Sequence, residues 1–372
     1  MSSFTALDCA HMARALRLAE RGRYTAHPNP VVGCVLVHDG EIVGEGFHQK
    51  TGEAHAEVNA LQAAGDRARG ATAYVTLEPC SHHGKTPPCA EALIAAGINK
   101  VIVAIEDPHQ AVAGRGLQLL RDAGVEVQTH LMATAAAAIN SGFLKRVTEH
   151  QPLLRLKLAS SIDGAIAMEN GESQWITGPG ARADVQRLRA RSGAIMTGIG
   201  TVLSDDPSLN VRATTFDTGE LQPLRVVLDS KLRMPGAARM LTLPGKTLIC
   251  CALDAGQAAL RGPNVDVMSF AAEDGGVDVV AVLQELAARG VNEVLVESGP
   301  RLAGYLLDAD LVDELVIYQA PHIMGSRTRR LADTPAWVSL ADRKSLTISD
   351  VRRIGDDTRI TATIAKSGAQ TD

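Results

Sequence analysis

Aromatic residues are scarce, with two Trp, four Tyr and five Phe among 372 residues. A chain so poor in stacking rings, with a net charge of −5, lacks the basic, aromatic-rich face on which nucleic acids are held. Nor does it carry a global field that would draw it to an anionic membrane. No apolar run approaches the length of a bilayer span. The opening residues MSSFTALDCAHMARAL show neither the basic segment nor the continuous apolar stretch of an export signal, so a cytosolic protein is expected. Six cysteines (Cys9, Cys34, Cys80, Cys89, Cys250 and Cys251) are too sparse to staple so long a chain. In a reducing compartment they are expected to be buried, metal-bound or catalytic. A complete dinucleotide fingerprint is missing as well. GEGFHQ, GRGLQL and GIGTVL each begin G-x-G, yet none has the third glycine, so a conventional Rossmann site is unsupported.

What is present reads as an α/β chain of two domains, because 372 residues exceed what one core usually supports. A helix from Asp8 leads into VVGCVLV and EIVGEGF, joined by Asp39-Gly40, a two-residue hairpin signal. Helical and strand-like segments then alternate up to VEVQTH, which implies parallel strands with helices on the sheet faces. An alanine-rich helix is expected over Met132 to Arg146, and Pro152 opens a new strand. The boundary is placed near residue 150, giving domains 1–150 and 151–372. In the second, strands are expected near Leu153 to Ala159, Leu224 to Asp229, Lys246 to Cys251, Val265 to Phe270, Glu293 to Glu297 and Leu315 to Ala320, with an antiparallel hairpin at the end.

The densest chemistry lies in HAE (His55 to Glu57) and LEPCSHHGKTPPC (Leu77 to Cys89). His55 opens a helix and Cys80 follows a strand, and at such switches parallel α/β sheets bind ligands. Helix N-termini there stabilise thiolates. His55, Cys80 and Cys89 make three ligands and leave one tetrahedral position open, as at a catalytic zinc. Glu57 beside that position takes and returns protons, the division of labour in zinc-dependent base deaminases. A structural zinc is the alternative, with His82 or His83 as fourth ligand, but it leaves Glu57 without a role. The usual deaminase signature puts two residues between its cysteines, whereas eight stand between Cys80 and Cys89.

Three further segments stand out: RLKLASSIDGAIAMENGESQWITG (Arg155 to Gly178), TGIGTVLSDDPSLNVR (Thr197 to Arg212) and VLVESGPRLAGYLL (Val294 to Leu307). The last runs from a strand through a Gly-Pro turn into a helix, where backbone donors suit a phosphate-bearing ligand. A set of ordinary tight turns explains the same pattern.

HAE with EPC resembles the cytidine-deaminase superfamily. The string PCSHHGKTPPC, spacing included, resembles the bifunctional deaminase/reductase family of riboflavin biosynthesis. The three later segments resemble the reductase half of that family, and D-D-P-x-L-x-V-R at Asp205 to Arg212 is their most specific string. The resemblance implies a cytidine-deaminase-like α/β/α domain followed by a dihydrofolate-reductase-like domain using NADPH. It implies zinc (Zn2+) on His55, Cys80 and Cys89, with Glu57 as proton shuttle, and Asn29, His48, His82 and Lys85 on the deaminase substrate. In the second half it implies NADP contacts at Ala159, Trp175, Thr201, Asp205 and Ser230 and along Gly299, Pro300, Arg301, Leu302, Ala303, Gly304 and Tyr305. Substrate contacts are implied at Ser173, Arg189, Leu209, Arg212 and Glu297, with Lys157 beside the ribosyl group. Arg189 and Arg212 suit a substrate phosphate, which guanidinium binds bidentately. The partners implied are small phosphoribosylaminopyrimidines and copies of the chain itself, with no nucleic acid and no membrane. Two other readings stay open, a tRNA- or nucleoside-type zinc deaminase with a C-terminal binding domain and a zinc-stabilised nucleotide-binding regulator.

Overall fold

The computed structural model describes residues 4–81, 87–109, 113–212, 215–254, 256, 260 and 262–364. The chain divides into two compact units, Met1–His150 with Asp217–Gly219, and Gln151–Phe216 with Glu220–Asp372.

The first unit runs α1 (Ala6–Ala19), β1 (Gly33–His38), β2 (Glu41–Phe47), α2 (Ala56–Ala64), β3 (Thr72–Val75), α3 (Cys89–Ala95), β4 (Lys100–Val103), α4 (Arg115–Asp122), β5 (Glu126–Thr129), α5 (Ala133–Ile139) and α6 (Ser141–Glu149). Its sheet has the order β2-β1-β3-β4-β5. The β1–β2 turn is made by Asp39 and Gly40, both with positive φ (50° and 81°), as a type I′ hairpin requires. The structure departs from simple alternation here. β1 is antiparallel to both β2 and β3, while β3, β4 and β5 are parallel. The crossover β2-α2-β3 joins two strands of one direction that straddle β1. Leu93, Leu117, Leu120 and the alanines of α2 bury one face of this sheet, and Met12, Leu16 and Ala136 the other. α2 lies close on β2 because of glycine: a Cβ on Gly46 would fall 2.3 Å from the Ala56 carbonyl oxygen.

The helix expected over Met132 to Arg146 is two helices. Between them Asn140, with φ −116° and ψ 15°, turns its amide onto the Val31 backbone, accepting from its N–H at 2.9 Å and donating to its C=O at 2.9 Å. That pairing replaces a helical path and anchors the loop carrying Asn29.

The second unit runs β6 (Leu153–Ser161), β7 (Ala165–Met168), α7 (Pro179–Arg191), β8 (Ala194–Gly198), α8 (Ile199–Asp205), β9 (Leu224–Leu228), α9 (Arg239–Thr242), β10 (Thr247–Cys251), β11 (Val265–Ser269), α10 (Val279–Ala288), β12 (Glu293–Glu297), α11 (Pro300–Asp308), β13 (Glu314–Ala320), β14 (Thr328–Arg330), β15 (Leu346–Ile354) and β16 (Asp357–Ile364). Nine strands form one sheet in the order β11-β10-β9-β8-β12-β6-β13-β16-β15. The first seven in that order are parallel and the closing hairpin is antiparallel. α10 and α11 cover one face through Val282, Leu283, Leu286 and Leu306. α7, α8 and α9 lie on the other, through Val185 and Leu188, Ile199 and Val202, and Met240.

β8 is a strand the sequence reading does not assign. It is five residues long and runs straight into α8 through Gly198, so it offers little periodicity of its own. Among the described residues no helix is long and apolar enough to cross a membrane.

Candidate active sites

In the first unit the site gathers at the carboxyl end of β3. His55 is the N-cap of α2, Cys89 is the first residue of α3 behind Pro88, and Cys80 follows β3. Proline directly before a helix presets the chain for entry. His55 Nδ1 lies 3.2 Å from Cys89 Sγ and 3.6 Å from Cys80 Sγ, and the three donor atoms all fall within 4.8 Å of one another. A tetrahedral ion with bonds of about 2.0–2.3 Å spaces its donors by roughly 3.3–3.8 Å, so the nitrogen and two sulfurs fit zinc.

The electrostatics favour a charged ligand set even without metal. Cys80 is drawn down to about 4, first by a hydrogen bond from the Cys89 thiol and then, against burial, by His55 and the Cys89 backbone N–H, which lies 3.3 Å from Cys80 Sγ. Cys89 is correspondingly pushed up by the same contact and by burial. Of the two cysteines, Cys80 is therefore the more readily ionised. Glu57, on the first turn of α2 and 3% exposed, is pushed up to about 7, chiefly by burial and then by the negative charge of Cys80. A carboxyl poised near neutrality both gives and takes a proton.

Two of the expected substrate residues converge on the same place. His48 is buried and its ring stands edge-on to that of His55, with centroids 5.3 Å apart. His48 Nδ1 lies 3.2 Å from the Ala54 carbonyl oxygen and Nε2 3.1 Å from Asn29 Nδ2. The carbonyl can only accept, so Nδ1 carries the proton and Nε2 accepts from Asn29. Burial lowers the His48 pKa, which agrees with that neutral form. His82 and Lys85 lie outside the described residues.

In the second unit the candidates collect at the carboxyl ends of β6, β8 and β12, which are neighbours in the sheet. Glu297 on β12 is in register with Lys157 on β6, so both side chains leave the same face. α7 brings Arg189 to Glu297 with Nε–Oε1 at 2.6 Å and Nη2–Oε2 at 3.0 Å. Burial opposes charge on Glu297, but Arg189 and then Lys157 hold its carboxyl below the usual range. Burial depresses Lys157, a shift that Glu297 resists and Arg189 reinforces. Arg189 was expected on a substrate phosphate. Here three of its five N–H groups are committed, two to Glu297 and one, at 3.0 Å, to the Asn210 carbonyl.

The Asp205 to Arg212 string begins on the last residue of α8. Asp206 and Leu209 both take φ of 41°, a left-handed conformation costly for residues with a Cβ. Neighbours hold it in place. Gln222 brackets Val211, accepting its N–H at 2.9 Å and donating to its C=O at 3.1 Å, and Gln186 accepts the Arg212 N–H at 2.8 Å. Leu209 is buried and Arg212 is exposed.

For the cofactor, Gly299 caps α11 with Pro300 at its first position, leaving the Arg301 and Leu302 N–H groups free of intrahelical partners. The hydroxyls of Ser160, Thr197 and Ser298, at the ends of three adjacent parallel strands, are buried without a hydrogen-bond partner. Of the three, Ser298 directly precedes the Gly299 cap of α11, where a phosphate-bearing ligand would find backbone donors. Trp175 and Tyr305 are exposed at 70% and 47%, and Arg182 stacks over the Trp175 ring at 4.7 Å. Thr201 and Asp205 lie on α8, with Ser230 just past β9 and Ala159 on β6. Ser173 is half-buried in the loop before α7. Ala303 and Gly304 are buried. Ala303 belongs to the core and Gly304 packs on the Asp333 backbone.

Three zinc-type ligands beside a buried glutamate in one unit, and a strand-to-helix turn suited to a cofactor phosphate in the other, fit a two-activity α/β enzyme. Residues 5–105 match the cytidine and deoxycytidylate deaminase zinc-binding region, and residues 152–360 match the RibD C-terminal domain. The chain is 49% identical to riboflavin biosynthesis protein RibD of Escherichia coli, over 94% of this chain and 97% of that one. It is 46% identical to RibD of Haemophilus influenzae, over 98% and 99%. Among solved structures, Acinetobacter baumannii RibD superposes with a TM-score of 0.89 at 42% identity, covering 97% of this chain and 99% of that one. The diaminohydroxyphosphoribosylaminopyrimidine deaminase/5-amino-6-(5-phosphoribosylamino)uracil reductase of Thermotoga maritima gives 0.86 at 31% identity, covering 96% and 99%. The chain belongs to the RibD family of riboflavin biosynthesis proteins.

Proposed function

We propose that the first unit hydrolytically deaminates 2,5-diamino-6-(5-phosphoribosylamino)pyrimidin-4-one. The second unit then reduces the ribosyl group of 5-amino-6-(5-phosphoribosylamino)uracil to ribityl with NADPH. The observation that carries the reading is the convergence of His55, Cys80 and Cys89 beside the buried Glu57, in a chain whose remainder matches the RibD C-terminal domain.

His55, Cys80 and Cys89 hold zinc, which when bound supplies a water acidic enough to ionise near neutral pH. Glu57 would carry one proton of that water to a ring nitrogen and the second to the departing amine, which leaves as ammonia. Asn29 and His48 orient the pyrimidine. In the second unit Arg301 and Leu302 offer backbone N–H groups to a cofactor phosphate, and NADPH supplies the hydride. Lys157 sits beside the sugar carbon that becomes electrophilic on ring opening. Arg189 keeps Glu297 ionised for a ribose hydroxyl, which leaves Arg212 as the phosphate partner. Reduced thiol ligands suit a cytosolic location. The chain assembles with copies of itself, a reading supported by β15, the outer strand of the large sheet, which exposes Leu346, Ile348 and Val351.

Incubation with the diaminopyrimidine should release ammonia and then oxidise NADPH, and a chelator should stop ammonia release. Glu57→Gln should keep its zinc and lose ammonia release by about 10²- to 10⁴-fold. Ammonia release that survives in this variant removes the shuttle role. No NADPH oxidation with the deaminated pyrimidine supplied directly removes the reductase.

A further inference from the structure

Glu78 stands two residues before Cys80 and is 4% exposed. Its carboxylate points away from the ligands, into the chain that follows β4. Oε2 accepts from the N–H groups of Asp107 at 3.1 Å and Gly114 at 3.0 Å, and Oε1 from those of Gly116 at 2.9 Å and Leu117 at 3.4 Å. Its own N–H donates to the Ile105 carbonyl at 3.0 Å. Gly114 is the N-cap of α4 and offers no side-chain cap, so a residue more than thirty positions earlier caps the helix.

The contact is closed from the other side by Gly116. A Cβ there would lie 2.0 Å from the Pro79 carbonyl oxygen and 3.2 Å from Glu78 Oε1. No side chain fits, so the start of α4 sits directly on the Glu78-Pro79-Cys80 turn.

We propose that Glu78 and Gly116 form a latch that holds the Cys80 thiolate in ligating position, making Glu78 a positioning residue for the metal centre. This rests on the reading of His55, Cys80 and Cys89 as the zinc ligands. A ligand whose two preceding residues are fixed loses less freedom when the ion binds. Released from α4, Cys80 would have to be ordered by the ion itself. Partners that orient ligands change metal affinity by about 10- to 100-fold.

Glu78→Gln keeps the shape but replaces one acceptor oxygen by a donor NH2 that faces backbone N–H groups. Gly116→Ala pushes on Pro79 while leaving the carboxylate intact. Zinc affinity is measured by chelator competition, Cys80 ligation by the thiolate-to-metal and d–d bands of the cobalt(II) protein, and stability by the melting temperature without metal. Both variants should bind zinc about 10- to 100-fold more weakly and show altered cobalt bands, by more than their metal-free melting temperatures account for. Unchanged affinity and cobalt bands, with only a lower melting temperature, would reduce the latch to a fold element and overturn the proposal. Should Glu78→Gln fail to fold, Gly116→Ala decides alone. Cys80→Ala serves as reference, since unaltered zinc binding there would instead refute the ligand assignment on which the latch depends.

Discussion

Glu57 carries the sharpest physical consequence of any single residue. In the metal-free protein its folded pKa is about 7, while an unfolded glutamate titrates near about 4.3. Between these values the folded state holds a proton that the unfolded chain has released. The stability so contributed is complete below the unfolded value and lost as pH rises through the folded one. With zinc removed, wild-type protein should therefore lose on the order of 3 kcal/mol relative to Glu57→Gln between about pH 4 and about pH 8. Thermal melts of both proteins across that range check it, and parallel curves would contradict it. The role of Glu57 was legible because a glutamate two positions after a helix-opening histidine is a local pattern. Glu78 was equally visible in EPC, yet its four N–H partners lie 29 to 39 positions away, and no local pattern announces them.

Among elements, the break between α5 and α6 is the most instructive. The run of alanines reads as continuous helix by propensity, but Asn140 is worth more as a clamp on Val31 than as a helical residue. Asn140→Ala strands a buried N–H and a buried C=O of Val31, at a cost of about 1–3 kcal/mol for each unsatisfied group. The expected outcome is a lower melting temperature together with a raised KM for the diaminopyrimidine, because the Val31 loop carries Asn29. Reduction of the deaminated pyrimidine should be unaffected. A changed KM in that second reaction would show a global defect instead. Gln222, which lies outside the segments singled out in the sequence, acts similarly on Val211. Both residues pair with backbone, which any sequence supplies, so neither leaves a signature.

For the whole molecule, the outward face of β15 bears on assembly. An edge strand with open backbone groups and exposed aliphatic side chains is a template for pairing with another strand. Light scattering should give a mass that is a multiple of the 39.2 kDa chain. Ile348→Lys should shift that mass toward a single chain. A wild-type mass of 39.2 kDa would refute the assembly.

Several matters were decided in the sequence by itself. Hydrophobic periodicity produces two successive α/β patterns, and functional residues of such patterns gather at strand ends, where short motifs stay intact. His55, Cys80 and Cys89 with their eight-residue spacing, and the Asp205 to Arg212 string, were readable for that reason. Tertiary structure alone decided that β1 also runs antiparallel to β3, that β8 lies beside β12, and that Arg189 pairs with Glu297. It alone set Glu78 against Gly116. These depend on which backbone groups are left without partners once helices and sheets have formed, and that is a property of the packed chain, not of any window along it.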